Sequence, residues 1–239
     1  MNFRGLYKWA GVCAITYAVV SLVGYVISLV TNGAASVTPL TPDQIWNTLQ
    51  KQGTHIASGL DQLSYFFWIP ALVGLFAYLR DRRPGRAHLG GAFAAFALVG
   101  FFAASALGSF MIDLARQPVS EALKERLGLF DLASLALVLP ALYAITVSNL
   151  LWGLALRTQE GLARTVGNLF LAKVVTFIIA DAGFIGKQAA ILNAGILLNS
   201  LALAATYLSA GLLLGRASKG EADVKAVAPE RSRAAGASA

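Results

Sequence analysis

Residues 63–112 read LSYFFWIPALVGLFAYLRDRRPGRAHLGGAFAAFALVGFFAASALGSFMI, and this stretch decides the fold. Two apolar runs, Leu63–Leu79 and Leu89–Ile112, flank a turn that carries Arg80, Arg82, Arg83 and Arg86. Lipid offers the backbone no hydrogen-bond partner, so a bilayer core of ordinary thickness asks for about 20 mostly apolar residues per helix. The two runs therefore read as a helical hairpin that leaves and re-enters a membrane, with its arginines on one surface. Outward from it, similar runs recur at Trp9–Val30, Leu132–Leu156, Val166–Ala180 and Ala189–Gly215. The chain is 57% hydrophobic and 13% charged, far from the balance of soluble domains. The expected architecture is all-α, a polytopic membrane bundle of six transmembrane helices over residues 1–215. A tail at 216–239, rich in Ala, Ser, Gly and charge, is expected to be disordered and cytoplasmic.

Orientation follows from the loops. With the N-terminus inside, 13 Lys and Arg fall on the inner side and five on the outer, while Lys173 stays within the fifth span. Both termini are then cytoplasmic. The basic balance is thus a consequence of topology, and no nucleic-acid partner is implied. Arg4 and Lys8 precede an apolar run of about 22 residues, longer than the 7–15 of a signal-peptide core, so the first run reads as a retained helix.

The composition also limits the chemistry. A lone Cys13 allows no internal disulfide and no CxxC redox or zinc motif. His55 and His88 are too few for the paired axial ligands of a multi-haem cytochrome. No phosphate-binding, metal or catalytic constellation is present, so no cofactor and no catalytic residue are assigned. The reading is non-enzymatic.

The outer loops carry helix signals. Thr41 can cap a helix with Pro42 at its first position and Gln44 at its third, placing Ile45, Trp46 and Leu49 on one face. Ser120 can likewise cap Glu121–Leu127, with Gly128 as its stop. Short amphipathic helices on the outer surface are one reading, solvated turns the other.

A faint repeat relates the second and third spans to the fourth and fifth. Asp61, eight residues, then Pro70-Ala71-Leu72 recurs as Asp131, eight residues, then Pro140-Ala141-Leu142. A duplicated helical hairpin, related by an axis along the membrane normal, would produce this pattern. Pro70 and Pro140 lack an N–H and favour kinks by releasing the carbonyls of Phe66 and Ala136.

Lys173 is the sharpest single residue. It lies nine residues past Arg164, roughly 13 Å into the bilayer by helical rise. A lysine at that depth costs about 2.5–3.5 kcal/mol on insertion scales, so it is expected to face the bundle interior. Asn149 lies at a comparable depth on the fourth span. Asp61, Asp131 and Asp181, with Asp113, sit near the outer helix ends as candidate cation- or proton-binding carboxylates. The plainer readings are a lysine that snorkels to the headgroups and carboxylates that meet interfacial water. On the third span, Gly100, Ala104 and Gly108 form a small-residue stripe suited to close helix approach, while Thr176, Asn193, Asn199 and Ser200 can bond between helices.

The arrangement, with its N-terminal arginine, outer first loop and basic second loop, resembles the uncharacterised families of small bacterial six-helix inner-membrane proteins. The resemblance spans the whole chain as a pattern, implies a bacterial inner-membrane location and carries over no functional residue. Two functions remain open. The first choice, favoured by the small-residue stripe and the absence of catalytic motifs, is a non-catalytic accessory, assembly or sensing component that binds the bilayer, membrane-protein subunits or a second copy of itself. The other is a small-solute or proton/cation-coupled permease built on Lys173 and the aspartates. A membrane enzyme acting on lipid or quinone ranks third. The topology is testable: a reporter fused at Ala239 should be active only as a cytoplasmic fusion, and a cysteine at Gln50 should react from outside. An external C-terminus would overturn the assignment.

Overall fold

Apolar runs without internal breakers, apart from two prolines, form helices that outlast the runs themselves. The computed structural model describes residues 3–220. It contains α1 (Arg4–Asn32), α2 (Pro42–Leu49), α3 (Gln52–Arg80), α4 (Pro84–Leu114), α5 (Glu121–Arg157), α6 (Gly161–Ile185) and α7 (Ala189–Ser218). There is no strand among the described residues. All but α2 are long and apolar enough to cross a membrane, as a multi-pass membrane protein requires.

Three boundaries differ from the sequence reading. Gly128 does not stop a short helix but lies inside the 37-residue α5. A helical glycine costs about 1 kcal/mol, and the burial of Leu123 and Leu127 beside it outweighs that. α6 runs past Ala180 to Ile185, so the turn into α7 falls at Lys187, which takes a left-handed φ of 53°. α7 continues past Gly215 to Ser218, and the rest of the expected tail, residues 221–239, lies outside the described residues. Pro70 and Pro140 each lie within an unbroken helix.

The six long helices close into a ring in the order α1, α3, α4, α5, α6, α7, with α7 packing back on α1. α3 lies furthest inward: 56% of its most apolar stretch is buried, against 17–33% for the others. Large apolar side chains such as Phe66, Phe96, Val99, Val175 and Ile178 point outward, as lipid-facing positions do.

Glycines bring the backbones together. A Cβ at Gly11 of α1 would stand 2.8 Å from the carbonyl oxygen of Gly211 on α7, and one at Gly167 of α6 would stand 2.8 Å from that of Gly153 on α5. Such crossings gain dispersion that lipid cannot match, because backbones approach without a side chain between them. The α4 stripe divides. Gly100 presses on Ala141 and the Leu137 carbonyl of α5, Ala104 is buried, and the position of a Cβ at Gly108 is open.

A second, smaller core ties down the end opposite the arginine turn. Ile45 and Leu49 of α2 pack with Met111, Ile112, Leu123 and Leu127. Thr41 and Gln44 form the reciprocal capping box. Lys124 reaches both Asp43, at 2.8 Å, and Glu121, at 2.9 Å, and the Gln50 amide donates to the Ala115 carbonyl. α2 is therefore clamped to the α4–α5 connection. At the other end the arginines brace the bundle: Arg86 donates to the Leu154 carbonyl of α5 and Arg83 to the Thr158 hydroxyl.

Gly100→Leu and Ala104→Leu should each lower the melting temperature in detergent, at a cost of about 1–3 kcal/mol from overpacking. Gly108→Leu should be tolerated. Equal behaviour at all three positions would refute this division of the stripe.

Candidate functional site

α6 carries Arg164 and Asp181 near its ends and one charge, Lys173, at its centre. Lys173 has the same number of α6 residues on either side and is only 5% exposed. Its Nζ lies 5.4 Å from the ring centroid of Tyr207 on α7. It has no ion pair or hydrogen bond with any described residue. A cation held over a desolvated aromatic ring gains about 1–2 kcal/mol, which offsets part of the insertion cost.

Tyr207 is itself held in place. The Trp68 indole of α3 donates to its hydroxyl at 2.6 Å. Tyr17 of α1 stacks on Trp68, with centroids 5.5 Å apart and planes 9° from parallel, and meets Tyr207 edge-on at 4.7 Å. This aromatic knot joins α1, α3 and α7 at the level of the lysine. Sequence reading missed it. The signal available was a polar-tipped aromatic inside each of three apolar runs, Tyr17, Trp68 and Tyr207, since a buried phenol or indole usually has a partner.

Beside the knot is a cavity of about 190 Å³ to which every long helix contributes, through Tyr17, Trp68, Phe101, Asn149, Lys173 and Asn199 among others. Asn149 of α5 is 4% exposed, and its amide bonds no described residue. On α7, Asn199 Oδ1 lies 3.2 Å from the Thr176 hydroxyl, an arrangement that leaves the amide N–H groups for the cavity. Buried polar groups are nearly always satisfied, so two unpartnered ones facing the same space identify a place where water or a ligand completes the bonding.

Asp61 also lines this cavity. Its Oδ2 accepts from the Tyr65 hydroxyl at 2.9 Å, and it forms no ion pair with Lys173. The same carboxylate lines a second, more open cleft of about 400 Å³ between α1 and α3, with Ser21, Ser28, Asn32, Thr54 and Ser58. The Ser21 hydroxyl is buried there without a partner.

The other aspartates stay apart. Asp181 accepts from the Tyr143 hydroxyl at 2.9 Å, and Asp113 pairs with Arg116 at 3.1 Å on the surface. Asp131 is not among the cavity residues. The reason is length: Asp61 lies 19 residues before Arg80, whereas Asp131 lies 26 before Arg157. At 1.5 Å per residue Asp131 stands about 10 Å further from the arginine end. Of the four candidate carboxylates, only Asp61 lines the cavity. Among the described residues no three His, Cys, Asp or Glu side chains gather as a metal site would require. His55 and His88 are each engaged with a backbone carbonyl, of Leu49 and Pro84.

No protein-family description, curated protein or solved structure matches this chain.

Lys173→Met should raise thermal stability by about 1–3 kcal/mol, because it replaces a desolvated, unpaired charge by an isosteric apolar chain. A lower melting temperature would mean that the ammonium has a stabilising partner in the folded state.

Proposed function

We propose that this chain is a small-solute-binding membrane protein of the permease class, with Lys173 at the centre of its binding site. One observation carries the reading: a cavity bounded by all six long helices, lined by a lysine and an asparagine whose side chains hydrogen-bond no described residue. Transporter sites of this kind lie near the bilayer midplane between packed helices. An intramembrane ammonium with an aromatic face but no counter-ion among the described residues leaves its charge for a mobile partner.

The same reading sets the protein in a bacterial inner membrane with both termini in the cytoplasm, supported by the excess of arginine at the α3–α4 turn. It also takes α3–α4 and α5–α6 as a duplicated hairpin. Support comes from the matching Asp and Pro-Ala-Leu spacing and from the full burial of Ala71 and Ala141, which follow the two prolines. The accessory reading, in which the chain works by binding subunits or a second copy, draws less support. Two of the three residues of its most obvious contact stripe, Gly100 and Ala104, are taken up within the bundle. An outward apolar crevice of about 240 Å³ between α3 and α4, lined by Val73, Phe76 and Ala95, suits a lipid chain.

In a Cys13→Ser background, Lys173→Cys should react with a small water-soluble methanethiosulfonate while the protein is folded in membranes. Reaction only after unfolding would remove the solute-binding reading. A stoichiometric protein partner in native membranes, together with an unreactive Cys at 173, would favour the accessory role instead.

A further inference from the structure

Asp61 of α3 and Lys173 of α6 line the same cavity, with Asp61 nearer the α2 end. Opposite charges in a low-dielectric space attract strongly and would pair if they could reach each other. Here they do not pair. Lys173 has only the face of Tyr207, and Asp61 has one oxygen bonded to Tyr65 and the other without a protein partner. The amide donors of Asn149 and Asn199 come from α5 and α7, the helices that flank α6, so the donors gather on the lysine side. The cavity also has an aromatic lining, from Trp68, Phe101 and Phe177.

From this arrangement we propose that the cavity takes a small organic zwitterion, an amino-carboxylate, with its carboxylate toward Lys173 and Asn149 and its ammonium toward Asp61. The proposal rests on the solute-binding reading and names the cargo of that site. A simple anion would satisfy the lysine and leave Asp61 unmatched; a simple cation would do the reverse. A dipolar molecule neutralises both ends at once, and its short carbon segment meets the aromatic lining. A cavity of about 190 Å³ has room for a molecule of several non-hydrogen atoms. The cleft between α1 and α3 has a wall of serines, threonine and asparagine, and it meets the cavity at Asp61. It supplies a polar approach from the α2 end, and the ammonium end would meet its acceptor first.

The test is a binding comparison on the purified full chain in nanodiscs, using L-alanine, β-alanine, propionate and ethylammonium. Propionate lacks the ammonium and ethylammonium lacks the carboxylate, while size changes little. One of the amino-carboxylates should bind at least about tenfold more tightly than either fragment, as expected of a site whose buried polar groups would otherwise be left unpaired. Lys173→Met should abolish binding of propionate and amino-carboxylate alike. Asp61→Asn should remove only the amino-carboxylate's advantage, and its retained weak binding of propionate reports a folded site. Propionate binding as tightly as alanine and unaffected by Asp61→Asn would overturn the proposal in favour of a simple anion. Ethylammonium matching alanine would overturn it in favour of a cation. Failure of all four compounds to bind, with Cys at 173 still reactive in the folded protein, would overturn the zwitterion assignment and leave the solute-binding reading standing.

Discussion

Lys173 carries an ammonium at the midpoint of a helix whose other charges, Arg164 and Asp181, lie near its ends, and contact with hydrocarbon there would cost several kcal/mol. That cost admits few arrangements of the bundle. The face of α6 that bears Lys173 must turn inward, and whatever it meets must tolerate a charge without collapsing onto it. The neighbouring helices supply such surroundings through α5 and α7, whose Asn149 and Asn199 face the same space, and through the face of Tyr207. The lysine, its amide neighbours and the aromatic knot act as one unit, because each is unfavourable at this depth without the others.

Close packing and the cavity arise from the same division of side-chain size. Small residues bring backbones into contact where α1 meets α7 and where α5 meets α6. Bulky aromatic residues hold α3 in the interior and stop the ring from closing on itself. Tyr17, Trp68 and Tyr207 form a stacked and hydrogen-bonded prop that spans three helices. With rigid crossings outside it and a rigid prop inside it, the space beside Lys173 persists as a cavity. A protein interior is close-packed wherever side chains can fill it, so the space is left by shape, with polar groups around it that could not be buried dry.

The end opposite the arginine turn is organised differently. There a capped helix of eight residues, α2, buries Ile45 and Leu49 against the junction of α4 and α5, with Lys124 tying its first turn to the start of α5. This clamp steadies the α2 end next to the polar cleft between α1 and α3. The arginine end is braced by side-chain bonds from the α3–α4 turn to the last turn of α5. Arginines read first as markers of orientation thus also satisfy helix-terminal carbonyls, a role that suits cations at a helix C-terminus.

The sequence by itself determined the class, the number of long helices, the capping box at Thr41 and the inward need of Lys173. Each depends on local pattern or on a cost that holds whatever the neighbours are: apolar length against bilayer thickness, a side chain three residues from its N–H, a charge at a known depth. It also placed Lys173 and Asn149 at comparable depth, because depth along a helix can be counted from its end, and both line the cavity. The sequence offered Asp61 and Asp181 as carboxylates for the lysine; only the tertiary structure decided that Asp61 lines the cavity, Asp181 does not, and neither forms an ion pair with Lys173. Counting from the outer ends treats Asp61 and Asp131 as equivalents, but α5 is longer below its proline, and α3 lies inside the ring. Gly128 misled for a related reason, since its local propensity to end a helix was overridden by the burial of Leu123 and Leu127 against α2. The aromatic knot was out of reach in the same way. Tyr17, Trp68 and Tyr207 lie far apart along the chain, and nothing in their separate runs specifies that they meet. Helix faces are written in the sequence, whereas the order of helices around a ring is set by which small and large faces fit together.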